Sequence, residues 1–152
     1  MPTPFNGHRL RRGRFSAEGH VYLLTAVTAR RNPLFADWQL GRLVVQQLRS
    51  AHEQEIAHSM CWLVMPDHFH WLIELKQCSL SEVMCRVKSR SSRAIKQRTG
   101  NLEPIWQKGF HDRALRKDDD LLTAARYIIA NPLRAGLVRR VADYPLWDAQ
   151  WL

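Results

Sequence analysis

Acidic residues are scarce in this chain. Its 152 residues carry 14 Asp and Glu against 23 Lys and Arg, a formal net charge of +9 at pH 7. That imbalance fits a polyanionic partner, nucleic acid foremost. An anionic membrane surface fits less well, because the cations do not gather on one amphipathic helix with bulky apolar anchors. Cysteine is also sparse. Cys61, Cys78 and Cys85 are odd in number and lack C-x-x-C spacing, which points to reduced thiols rather than a disulfide framework or a cysteine-built zinc site. No apolar run approaches the roughly 20 residues that span a bilayer. Residues 1–14 are basic without the apolar core of a secretory leader, so a cytoplasmic location is expected. Among the seven glycines no phosphate-cradling loop appears, and no serine sits in a nucleophile elbow. Repeats, long linkers and low-complexity tracts are missing as well.

What is present reads as one α+β domain over residues 1–152. Its length and 45% hydrophobic content suffice for a packed core. Residues 1–18 form a basic arm with Arg9, Arg11, Arg12 and Arg14. His20 to Thr28 reads as a first strand, rich in β-branched and aromatic residues. Asp37 caps a helix reaching about Glu55. His58 to Met65 is a second strand, Pro66-Asp67 a turn, and His68 to Leu75 a third strand. Ser79-Leu80-Ser81-Glu82 opens a second helix as a capping box, and Gly100 closes it. Ile105 to Leu115 reads as a fourth strand. Asp118 caps a third helix through about Ala130, which Asn131-Pro132 ends. Residues 140–152 form an aromatic tail. The order is that of a ferredoxin-like βαββαβ antiparallel sheet with an additional C-terminal helix.

The third strand alternates cleanly. Phe69, Trp71, Ile73 and Leu75 share one face; His68, His70, Leu72 and Glu74 share the other. Two imidazoles side by side, away from the apolar stripe, make the start of a divalent metal site. The pair alone is weak, since seven histidines in 152 residues supply roughly 0.3 such pairs by chance. On the third helix, Leu121, Leu122, Ala124, Ala125, Ile128 and Ile129 make an apolar arc, with Tyr127 and Asn131 together on its rim. Singly, Tyr127 also reads as a packed aromatic and Asn131 as a cap before proline. Together, two imidazoles and an amide oxygen suit Mg²⁺ or Mn²⁺, and a nearby phenol suits attack on phosphorus. The second helix sets six cations, Arg86, Lys88, Arg90, Arg93, Lys96 and Arg98, against Glu82 alone, which favours a phosphate-facing surface. Arg134 suits a phosphate contact, and Trp106 suits either base stacking or the core. His111 and Asp112 form a possible accessory pair. Tyr22 and Tyr144 read as packing residues.

These stretches resemble the REP-associated tyrosine transposases, within the single-tyrosine HUH transposase and nuclease group. The resemblance runs through Leu10-Arg11-Arg12-Gly13-Arg14, Tyr22-Leu23-Leu24-Thr25, Pro66-Asp67-His68-Phe69-His70-Trp71 and Ile105 to Asp112. It is most specific over Ala125 to Val138, which holds Tyr127, Asn131-Pro132 and Arg134, and it extends to Asp143-Tyr144-Pro145-Leu146-Trp147-Asp148. It implies that His68 and His70 are the metal ligands, Asn131 the third, and Tyr127 the nucleophile. It further implies a single-stranded DNA substrate with palindromic hairpins, cut and rejoined through a 5′-phosphotyrosine. DNA contacts are then expected from Arg11, Arg12, Arg14, Lys88, Arg90 and Arg134. A non-catalytic RRM-like binding module is the alternative, although the aromatic RNP pattern is missing. A replication initiator or relaxase is a second alternative; relaxases usually carry the tyrosine before the histidines. Monomer and homodimer both stay open.

Overall fold

The computed structural model describes residues 20–116 and 121–151. The basic arm, including Arg9, Arg11, Arg12 and Arg14, lies outside the described residues, as does the proposed cap Asp118. The chain runs β1 (Val21–Val27), α1 (Trp38–Glu53), β2 (Ala57–Met65), β3 (His68–Leu75), α2 (Leu80–Thr99), β4 (His111–Leu115), α3 (Leu121–Ile129), α4 (Asn131–Arg134) and β5 (Trp147–Ala149). The sheet order is β4-β1-β3-β2-β5, and every pair is antiparallel. The first four strands have the ferredoxin-like order, with β5 added beside β2. No described helix is long and apolar enough to cross a membrane.

Strand alternation sorts the sheet into two faces. Phe69, Trp71, Ile73 and Leu75 are all buried on one side of β3. Their cross-strand neighbours Tyr22, Leu24 and Ala26 on β1, and Trp62 and Val64 on β2, are buried too. Helices α1 and α2 cover this face. Trp106, whose indole N–H donates to Ser91 Oγ of α2 at 3.1 Å, packs tilted against Phe35 and edge to face with Phe69. Full burial of each such side chain contributes about 1.5–3 kcal/mol, so this layer carries the core.

Local signals set the helix ends. Asp37 accepts from the Gln39 N–H at 3.0 Å and starts α1. Ser79 and Glu82 form a reciprocal capping box at the start of α2, and Gly100 ends it with φ of 72°, a left-handed conformation that glycine adopts without strain. Gly41 has a different task. A Cβ there would stand 2.5 Å from Leu146 Cδ1 and 3.6 Å from Phe35 Cβ. Leu146 is buried and has little room to turn. Gly41→Ala is therefore expected to lower stability by about 1–2 kcal/mol through overpacking, despite alanine's advantage in a helix of about 1 kcal/mol. Urea melts check it; in a Leu146→Ala background the same change should be neutral or stabilising.

Three elements differ from the sequence expectations. The fourth strand begins at His111, not Ile105. Residues 105–110 form a loop whose one bridge joins Trp106 to Thr28. Gly109 turns it with φ of 74°, and Lys88 Nζ donates to the carbonyls of Gln107 at 2.8 Å and Gly109 at 2.6 Å. The third helix ends at Ile129, as expected before Asn131-Pro132, but that dipeptide also starts a further helical turn, α4, where proline is tolerated because first-turn N–H groups lack helical partners anyway. The tail packs through Tyr144 as expected but also holds a strand that the sequence did not announce. Tyr144 is buried and its hydroxyl donates to the Val64 carbonyl at 2.6 Å, and Trp147–Ala149 pair with Leu63, Trp62 and Cys61.

Candidate functional site

The histidine face is built from the same alternation. His70 lies between Thr25 on β1 and Leu63 on β2; His68 lies between Val27 and Met65. The two rings stand 4.8 Å apart, nearly edge to face. Each ring is held through Nδ1. His70 Nδ1 is 2.8 Å from the Thr25 hydroxyl. His68 Nδ1 is 2.7 Å from Asp67 Oδ1, and Asp67 Oδ2 accepts from Arg31 Nη1 at 3.0 Å. Among the described residues, no hydrogen bond engages Nε2 of either ring. Burial works to raise the Asp67 carboxyl, but the hydrogen bonds and charges of His68 and Arg31 outweigh it and hold it below its ordinary value.

His70 is pushed down to about 4 by burial, with the charges of His68 and Arg134 adding to the effect. It is therefore a neutral imidazole at neutral pH, the form that binds metal. The same shift makes a stability prediction. An unfolded chain takes up this proton near pH 6.5, while the folded chain refuses it until about pH 4. Between those values the unfolded state binds more protons, so stability falls as pH falls. In chelated protein the contribution is intact above pH 6.5 and gone near pH 4, a loss on the order of 3 kcal/mol. Urea melts across that range check it, and His70→Gln should flatten the profile.

On α3 the apolar arc packs inward, with Ala125, Ile128 and Ile129 buried, and the helix contacts β2. Tyr127 stands on the rim with 67% of its surface exposed. Arg134 organises this end. Its guanidinium carbon lies 3.9 Å from the Tyr127 ring centroid, and Nη2 donates to the Tyr127 carbonyl at 2.7 Å and to Asn131 Oδ1. Arg134 thus brings Tyr127 and Asn131 together, and its charge reaches His70. Among the described residues, no three His, Cys, Asp or Glu side chains gather as a metal group. A third protein ligand beside the two imidazoles would have to be of another kind, such as an amide.

The other predicted residues separate. His111 pairs across β1 with Thr25, the neighbour of His70, and is exposed on the histidine face. Asp112, one residue on, points to the opposite face, so the two do not act as a pair there. Trp106 belongs to the core. On α2, Lys88 holds the 105–110 loop, Arg86 donates to Gln54 Oε1 at 2.6 Å and Arg98 to Gln39 Oε1 at 2.6 Å. Arg90 is exposed. All of α2 lies behind the sheet, on the face opposite the histidines. Sequence reading passed over Thr25, Asp67 and Arg31. The acid beside His68 was a visible signal, whereas the partners on β1 and beyond it emerge only from register.

Comparison with known proteins bears on this geometry. Residues 16–131 match the family described as "Transposase IS200 like". The chain is 26% identical over 136 residues to a REP-associated tyrosine transposase of Escherichia coli K12, covering 87% of this chain and 78% of that one. It is also 26% identical over 116 residues to a Haemophilus influenzae protein that carries the same name provisionally, covering 66% of each. Among solved structures it resembles a REP-associated tyrosine transposase bound to a REP hairpin. The TM-score is 0.70 at 25% identity, over 88% of this chain and 79% of that one.

Proposed function

This chain belongs to the IS200-like transposase family, and on that premise we propose that it cuts and rejoins single-stranded DNA at palindromic hairpins through Tyr127, using Mg²⁺ or Mn²⁺. The observation that carries the reading is the pairing of His68 and His70, each engaged through Nδ1 with no hydrogen bond on Nε2 among the described residues, and His70 held neutral by burial. That is a donor set a divalent ion can use. Asn131 supplies the third ligand. Its amide oxygen has two lone pairs, so it can keep its bond from Arg134 and still coordinate. An ion held by these residues would supply Lewis-acid polarisation of a phosphate and offset charge on the departing oxygen.

The chain's own groups do the rest. The Tyr127 phenolic oxygen attacks phosphorus in line; its proton passes to water. The bond from phosphorus to the 3′ oxygen breaks, and that oxygen leaves as a 3′-OH after taking a proton from solvent. DNA remains joined to the enzyme as a 5′-phosphotyrosine. A 3′-OH attacking that ester reverses the step, so rejoining needs no ATP. Arg134 steadies the phenol ring by stacking and offers charge to the neighbouring phosphate. The exposed residues His111 and Arg113 of β4 share the histidine face and can take the flanking strand.

A single incubation tests the reading. Labelled hairpin-bearing single-stranded DNA with Mg²⁺ or Mn²⁺ should yield an SDS-resistant adduct, absent with chelator. Binding without adduct on every hairpin tried would instead favour the RRM-like module.

A further inference from the structure

The two arginines after β1 both adopt left-handed backbone: Arg30 at φ 56° and Arg31 at φ 51°. Side chains other than glycine rarely accept this, and two in succession is a strained turn. Its product is specific. The turn carries Arg31 to Asp67, thirty-six residues on, with Nη1 3.0 Å from Oδ2. The backbone of Asp67 is clamped as well. Its carbonyl accepts the Thr28 N–H at 2.9 Å and the Thr28 hydroxyl at 3.1 Å, and Thr28 is wholly buried. Pro66, the other turn residue, accepts from the Phe35 N–H at 2.9 Å. The backbone bonds fix the Pro66-Asp67 turn and Arg31 takes one carboxylate oxygen, while the other meets His68 Nδ1 at 2.7 Å.

A carboxylate only accepts hydrogen bonds, so this contact requires the proton on Nδ1, and in the neutral imidazole that leaves the lone pair on Nε2. We infer that Arg31, through Asp67, is a positioning residue that fixes the tautomer and ring orientation of His68, and that the strained Arg30–Arg31 turn is kept for this purpose. The inference rests on the metal reading above for its consequence, but not for its first readout. Arg31 orients the carboxylate by occupying its outer oxygen, so the inner oxygen stays aimed at the imidazole. Losing either partner lets the ring rotate and its proton move to Nε2, the atom a metal needs free.

Two measurements on the full chain decide it. Nitrogen NMR of the imidazoles in metal-free protein should find His68 protonated at Nδ1, with Asp67→Ala moving the proton toward Nε2. Titration with Mn²⁺ alone, followed by EPR, should show binding roughly 10–100-fold weaker in Asp67→Ala, the usual cost of losing such an outer partner. Arg31→Gly relieves the left-handed strain, so its melting temperature should hold or rise while Mn²⁺ affinity falls. Arg31→Lys should recover part of that affinity. An unchanged tautomer in Asp67→Ala overturns the inference, as does wild-type Mn²⁺ affinity in Arg31→Gly. If wild-type protein binds no Mn²⁺, the metal reading fails, while the tautomer measurement still decides the part played by Asp67.

Discussion

Replacing Tyr127 with phenylalanine should leave the fold untouched and abolish the covalent DNA adduct. The change removes one oxygen from a ring that is 67% exposed, so stability should stay within about 0.5 kcal/mol of the parent. The Arg134 guanidinium keeps a ring face to stack on. What disappears is the atom that bonds to phosphorus, and cleavage should fall by roughly 10⁴-fold or more, as when other covalent enzymes lose their nucleophile. The chain has three tyrosines, and the other two cannot substitute. Tyr22 is fully buried on the apolar face, and the buried Tyr144 commits its hydroxyl to the Val64 carbonyl. Denaturing gels of labelled hairpin check the result. Adduct persisting in Tyr127→Phe would remove Tyr127 from the chemistry and point to a serine or threonine.

Trp71→Ala is expected to be the costliest core substitution, at about 3–5 kcal/mol. Trp71 is fully buried directly behind the histidine face, and its indole N–H donates to Ser59 Oγ at 2.9 Å. A typical domain has only about 5–15 kcal/mol in total, so the variant should unfold roughly 6–20 °C early or fail to accumulate. Chemical denaturation measures the loss. Trp71→Phe keeps most of the volume and should cost markedly less. A loss below about 1 kcal/mol in Trp71→Ala would mean that the layer closes over the gap. Because His70 precedes Trp71 on β3, adduct yield should follow the folded fraction and recover on cooling.

Sequence and structure agree where a physical signal is local. Strand β3 was readable at both ends because alternation is strict and Pro66-Asp67 bounds it. Helix α2 was readable because Ser79, Glu82 and Gly100 each have one strong local role. The first four strands followed in ferredoxin-like order. What stayed hidden depends on distant partners. Ile105 and Trp106 have strand propensity, but Lys88 binds the following carbonyls into a loop. Trp147–Ala149 are too short to show a period, and they pair with residues more than eighty positions away. Half of the six cations on α2 are engaged within the protein, at Ser50, Gln54, Gln39 and the loop carbonyls, so their run does not by itself mark a DNA surface. The left-handed Arg30–Arg31 turn has no sequence signature, since neither residue is one that favours positive φ.

Strand β5 has a consequence for how the molecule behaves in a crowd. Without it, β2 would be the boundary of the sheet: nine residues, mostly apolar and buried on both faces, with its outward N–H and C=O groups unpaired. Such an edge invites strand pairing between molecules and, from there, aggregation. The three residues of β5 occupy it and present a shorter border with exposed Asp148 at its centre, a poor template for a further strand. Damage to the anchors of Tyr144 or Leu146 should therefore show first as loss of solubility on concentration, before any loss of helix or of histidine geometry.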